Sequence, residues 1–258
     1  MAELASQSWY MLQRQARNLL RERVWVALLL IQPLVWLVLY SQLFTRVTGL
    51  GGFGTRDYLD FFLPGVVCMN AFFAGSWSGM ATITDLDRGV IERFLATPVR
   101  RGSLVFSQVA RAAVQAAIQG TILIAIGLAL GADIAGGVVG AVAILVAAML
   151  LAGGFAGISH GLALIFRREA TMIAAANFIA LPLMFMSAIL MARPLMPHWM
   201  QIVSRFNPVD WGVRAAREPA LPGTDWMVVG GHLGLLTAFV LGTGAFATWA
   251  FRAYQKTL

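Results

Sequence analysis

The 258-residue sequence predicts an all-α polytopic membrane protein with six transmembrane helices. Three observations point there. Hydrophobic residues make up 59% of the chain and charged residues only 12%, about half the roughly 25% charged share of a soluble domain. The mean hydropathy is +0.75. Apolar runs of about 20 residues, the length that crosses the hydrocarbon, recur along the chain. With lipid as solvent the backbone must satisfy its own polar groups, and this selects helices.

The elements follow in order. Within residues 4–21, Ala5, Ser8, Trp9, Leu12, Ala16, Leu19 and Leu20 recur at helical spacing, with Gln13, Arg14, Arg17 and Arg21 opposite. This predicts an N-terminal amphipathic helix lying on the membrane surface. The spans are read at 24–44, 61–84, 104–130, 138–166, 170–192 and 226–251. The first is long enough to cross and has no small-residue cleavage site, so it reads as an uncleaved span. Pro33, Pro64 and Pro182 kink spans or start them. Small residues four apart predict close helix packing at Gly75/Gly79, Gly127/Gly131, Gly136/Gly140, Gly153/Gly157/Gly161 and Gly230/Gly234. The whole chain, 1–258, reads as one membrane domain.

Two segments between spans are distinctive. Residues 85–101 form a charge-dense hairpin with both signs, suited to docking a soluble partner. Gly89 and Pro98 would bound a short helix within it. Residues 194–222 read as a pair of short external helices dipping into the outer leaflet, broken at Asn207-Pro208, with Trp199 and Trp211 at headgroup level.

Six spans put both termini on one side. With that side cytoplasmic, Lys plus Arg count 13 inside against 6 outside, the asymmetry that sets orientation. The last external loop, with Arg193, Arg205, Arg214 and Arg217, runs against it. The net charge of +7 is spread around the spans, which fits anionic lipid better than nucleic acid. Arg supplies 18 of the 19 basic residues, a codon bias pointing to a GC-rich bacterial genome.

Chemistry is sparse. Cys68 is the single cysteine, and His160, His198 and His232 lack metal-type spacing. No catalytic and no metal residue is assigned. Gly157-Ile-Ser-His-Gly161 matches G-x-S-x-G but lies in a predicted helix, where a nucleophile elbow needs strand, turn and helix. Packing, with Ser159 bonded to its own backbone, is the plainer reading. No Gly-Lys-Ser/Thr loop exists, so any ATP is bound by another chain. The polar groups expected inside the spans are Gln32, Asn70, Gln115, Gln119 and Asn177, with His160 and His232, while Arg111 sits near the cytoplasmic start of the third span.

Three blocks together resemble a family: Leu63-Pro64-Gly65-Val66, then Glu92-Arg93-Phe94-Leu95-Ala96-Thr97-Pro98, then Leu181-Pro182-Leu183-Met184-Phe185 with Met196-Pro197-His198-Trp199-Met200-Gln201 and Asn207-Pro208-Val209. In order and spacing they are similar to permease subunits of type 2 ATP-binding-cassette exporters, in particular the daunorubicin-resistance-like branch. The likeness covers roughly residues 10–255. It implies a dimeric permease in a bacterial plasma membrane, paired with itself or a related chain, above an ATPase dimer that holds ATP and Mg. This chain itself would bind no cofactor. It also implies an interface helix at the N-terminus and a cytoplasmic coupling helix carrying Asp85, Asp87, Arg88, Gly89, Glu92, Arg93, Thr97 and Pro98. The external re-entrant helices would cap the exit through Met196, Pro197, Trp199, Asn207 and Pro208.

The expected cargo is hydrophobic or amphipathic, a drug, polyketide or lipid, in a path lined by Asn70, Phe72, Phe73, Trp77, Asn177, Phe178 and Met184. Polysaccharide or glycolipid export is the sister reading, disfavoured by the scarcity of polar groups in the spans. An intramembrane enzyme using Ser159, and a channel or sensor without an ATPase, are the readings from other classes.

Overall fold

A computed structural model describes residues 23–44, 53, 55, 57–89 and 101–255, with side chains from Leu30 and from Val105 onward in the first and last of these stretches. Residues 4–21 of the expected amphipathic helix, and Glu92, Arg93, Thr97 and Pro98 of the hairpin, lie outside the described residues. The described residues form helices α1 (Arg23–Leu43), α2 (Tyr58–Trp77), α3 (Gly79–Asp87), α4 (Arg101–Ala129), α5 (Gly137–Phe166), α6 (Glu169–Phe185), α7 (His198–Ser204), α8 (Pro208–Arg217) and α9 (Trp226–Gln255). Single 3-10 turns stand at Arg193–Leu195 and Glu218–Ala220, and no strand occurs among these residues.

Four stretches are long and apolar enough to cross a membrane: Tyr58–Asp87, Val105–Ala129, Gly137–Phe166 and Trp226–Tyr254. Leu30–Leu43 and Glu169–Phe185 are shorter apolar helices.

α5 is the axis of the bundle, packed against α2, α4, α8 and α9. Its small residues make this possible, because backbones approach where side chains are short. A Cβ on Gly75 would collide with the Ala152 main chain, and one on Gly79 with that of Ser159, so these two glycines seat α2 and α3 on one face of α5. Phe239, Thr243 and Phe246 of α9 fill the spaces over Gly154, Gly157 and Gly161. Ile144, Ala147, Ala148, Leu151 and Ala152 are fully buried between these faces. Cys68 is sealed in the same core, with no exposure. The Gly230/Gly234 pair, expected to pack, has nothing within 4 Å.

α1 joins through a run of stacked rings, Trp36 on Tyr40 at 4.7 Å and Tyr40 on Phe62 at 5.5 Å. Pro64 lies inside α2, not in its first turn.

Two helix limits differ from the expectation. The second span does not end at Thr84. Its helix breaks at Ser78 and resumes as α3, so Asp85 and Asp87 belong to the last turn of a helix instead of opening a hairpin. Gly89, in the left-handed region at φ 64° that glycine occupies without strain, follows that end. The expected span 170–192 is helical only to Phe185. Its remaining residues are as apolar as the helix, so hydropathy carries no sign of the break. The cause lies in partners that arrive later in the chain.

Candidate functional site

The break after α6 leaves residues 186–192 with carbonyls and amides that no helix satisfies. Side chains of Asn207, α8 and α2 take them up. Asn207 donates from Nδ2 to the carbonyls of Leu183 (2.7 Å) and Met186 (3.2 Å). Its Oδ1 accepts the Val209 amide at 2.9 Å, which caps α8. Asp210, with no exposure, accepts the Ala188 amide on Oδ1 and the Arg214 guanidinium on Oδ2, both at 2.9 Å. Arg217 is buried and donates to three carbonyls, Phe61 (3.1 Å), Ala188 (2.6 Å) and Ile189 (3.0 Å). Its guanidinium also lies 3.6 Å from the centre of the Phe61 ring. The Tyr58 hydroxyl donates to Leu190 at 2.8 Å. Irregular backbone removed from water is stable only where protein satisfies it, and this clasp does so.

Three of the four Arg residues that ran against the orientation count are bound internally. Arg193 donates to the Gln201 carbonyl at 2.9 Å, Arg214 pairs with Asp210, and Arg217 holds the clasp. Of the expected exit residues, Met196 is buried, Trp199 is exposed, and Pro208 is the first residue of α8. Pro197 precedes α7, while Asn207 is fully engaged as cap and clasp.

A second feature lies at the α2–α3 break. Ser159 of α5 inserts its hydroxyl there, donating to the Ser76 carbonyl (2.6 Å) and accepting the Gly79 amide (2.9 Å). The expectation that Ser159 bonds to its own backbone is therefore corrected: it splices two helices. Its proton is committed to a carbonyl and the surrounding element is a continuous helix, so no nucleophile elbow forms. One turn further, Thr82 Oγ1 and His160 Nδ1 are 2.6 Å apart. Ser159→Ala is expected to lower stability by about 1–2 kcal/mol, since it strands the Gly79 amide and the Ser76 carbonyl; thermal unfolding in detergent measures it.

A cavity of about 740 Å³ lies among α1, α2, α4 and α6, with His160 of α5 in its wall. Five of the seven expected path residues line it: Asn70, Phe73, Trp77, Asn177 and Met184. Two do not. Phe72 is fully buried, its ring edge-on to Phe155 at 4.5 Å, and Phe178 is 82% exposed on the outside of α6. Each neighbours a lining residue, and adjacent helical positions face about 100° apart.

The polar groups of the spans converge here. Gln32, Asn70, Gln115, Gln119, Asn177 and His160, flagged singly in the sequence, share this one wall; His232 does not. Asn70 donates to Gln119 at 2.9 Å. Gln108 and Arg111 were not expected to line the cavity. With Gln115 and Gln119 they make a stripe at spacings of three and four along α4, a periodicity that was available in the sequence.

Helices long and apolar enough to cross a membrane, around a cavity with amides in its wall, fit a membrane transport permease. The chain belongs to the ABC-2 type transporter family, whose family model matches residues 6–221. It is 29% identical over 189 residues to ycf38 of Cyanophora paradoxa, named as a transport permease, covering 73% of this chain and 65% of that one. It is 25% identical over 196 residues to the daunorubicin resistance ABC transporter permease protein DrrB1 of Streptomyces coeruleorubidus, covering 74% and 66%. The ycf38 protein of Porphyra purpurea is 25% identical over 199 residues, covering 76% and 67%. The match thus spans about two thirds of these relatives' lengths.

Proposed function

We propose that this chain is the membrane-spanning subunit of an ATP-driven exporter that moves an amphipathic molecule out of the cytoplasm or inner leaflet by alternating access. The observation that carries the reading is the cavity walled by both aromatic rings and amides, in a member of a transporter family that includes a drug-resistance permease. On this reading the protein is one permease domain with six crossings and both termini cytoplasmic, in a bacterial plasma membrane. Arg23–Leu43 and Glu169–Phe185 supply the two further crossings. The 17-residue α6 spans only about 25 Å, and the clasped residues 186–192 carry the chain across the rest.

The segment 85–101 would seat on a separate ATPase dimer, which holds ATP and Mg, and a second copy or related permease would complete the pathway. Asp85, Asp87, Arg88, Gly89, Glu92, Arg93, Thr97 and Pro98 are the proposed contacts. Met196, Pro197, Trp199, Asn207 and Pro208 border the exit. Reversing charge at Glu92 tests the coupling. Assembled with its partner ATPase, a Glu92→Lys complex in inverted vesicles is expected to hydrolyse ATP while export falls at least about tenfold, the effect of inverting a docking charge. Unchanged export by that variant refutes the coupling role.

The amide wall supports a second reading, export of a glycolipid or polysaccharide. The sparse polar residues that disfavoured sugar in the sequence are gathered at one surface.

A further inference from the structure

The cavity is not uniform along its length. At one end stand Ser78, Gln108, Arg111 and His160, and towards the other Met69, Leu181, Met184 and Phe185. Arg111 and Gln119 are eight residues apart on one helix, about 12 Å along its axis. The cavity therefore carries its charge at one end and, towards the other, apolar side chains beside the Asn70–Gln119 amide pair, over the length of a small amphiphile.

Its charge has one sign. Arg111 is the one ionised lining residue, and no Asp or Glu lines the wall. Asp85 of α3 lies within electrostatic reach of Arg111 but outside the wall. No carboxylate of the described residues stands within ion-pair distance of Arg111. Around it the groups are neutral and polar. Gln108 and Gln115 carry amides. His160 is buried and its Nε2 has no hydrogen-bond partner among the described residues. Its Nδ1 is 2.6 Å from the Thr82 hydroxyl, and in the tautomer where Thr82 donates there, Nε2 is a donor. Arg111 is exposed on the cavity wall and has no ion pair among the described residues, so its guanidinium can meet an anion there.

Resting on the exporter reading above, we infer that the cavity takes an amphiphile with an anionic head, a phosphate or carboxylate, bound at Arg111 with its apolar tail towards Met184 and Phe185. Guanidinium pairs with such groups in bidentate fashion. A cationic head would meet Arg111 across a medium of low dielectric and be repelled.

The test uses the full chain in phosphatidylcholine nanodiscs, titrated with three probes sharing one tail: decyl phosphate, decyl glucoside and decyltrimethylammonium. Binding is read by quenching of tryptophan fluorescence, since Trp36 and Trp77 line the cavity. Decyl phosphate is expected to bind at least about tenfold tighter than the cation. Arg111→Gln removes that preference and Arg111→Lys retains most of it. Gln108→Glu, which brings a carboxylate beside Arg111, abolishes it without replacing Arg111. Decanoate in place of decyl phosphate tells whether carboxylate serves as well as phosphate. Equal affinity for all three heads, tighter binding of the cation, a preference that survives Arg111→Gln, or no binding at all overturns the inference. The exporter reading fails on a different result, the absence of ATP-driven transport in vesicles, so either can fall alone.

Discussion

Replacing Arg217 with methionine lowers the stability of the permease by about 3–5 kcal/mol, the cost of breaking a buried charged group out of its network. Methionine keeps most of the volume and removes every donor. The carbonyls of Phe61, Ala188 and Ile189 lose their partners together, and each buried carbonyl left unsatisfied costs about 1–3 kcal/mol. Asp210 keeps Arg214 and the Ala188 amide, so the loss is specific to the clasp between α8 and the unwound segment. Arg217→Lys restores the charge but not the effect, because one ammonium cannot span three carbonyls in the fork geometry of a guanidinium. Thermal unfolding in detergent ranks the three proteins. Stability of Arg217→Met equal to that of the parent would remove the clasp from the account of why α6 ends at Phe185.

Gly75→Leu is expected to cost about 3 kcal/mol or more, the upper range for overpacking. The obstacle is the Ala152 main chain, which cannot turn aside as a flexible side chain can. Relief requires α2 to leave α5, which also pulls Gly79 away from Ser159. Gly230→Leu is the control: it belongs to the same spacing pattern and has nothing within 4 Å. Thermal shifts of similar size for the two variants would mean that the Gly75 contact does not set the approach of α2 to α5.

The comparison of these glycines shows what was legible in the sequence. Spacing four apart identified both pairs, and only packing tells which face meets a neighbour. The long helices were legible because length and hydropathy are local. The span read at 138–166 is helical over Gly137–Phe166. The end of α6 was not legible, since the residues that unwind it, Asn207, Asp210 and Arg217, lie some 20 to 30 positions later, and nothing in their local sequence ties them to it.

The same division holds in the cavity. Gln32, Asn70, Gln115, Gln119 and Asn177 stood out singly as costly polar groups in apolar runs, yet their meeting on one wall depends on the rotation of four helices. Phe72 and Phe73 differ in role by one residue, and no composition argument separates them. Ser159 sat in a motif that suggested hydrolysis. The motif was real as a string, and its helical setting converts the hydroxyl into a splice.

The burial of Cys68 has a practical consequence. A thiol closed off from both water and lipid stays silent to polar maleimides, so the natural chain already serves as a blank background for single-site labelling. Reporter groups can be attached at Thr97 or Trp199 without first engineering out the native sulfur, and the signal obtained from either side of a cell belongs to the introduced position alone.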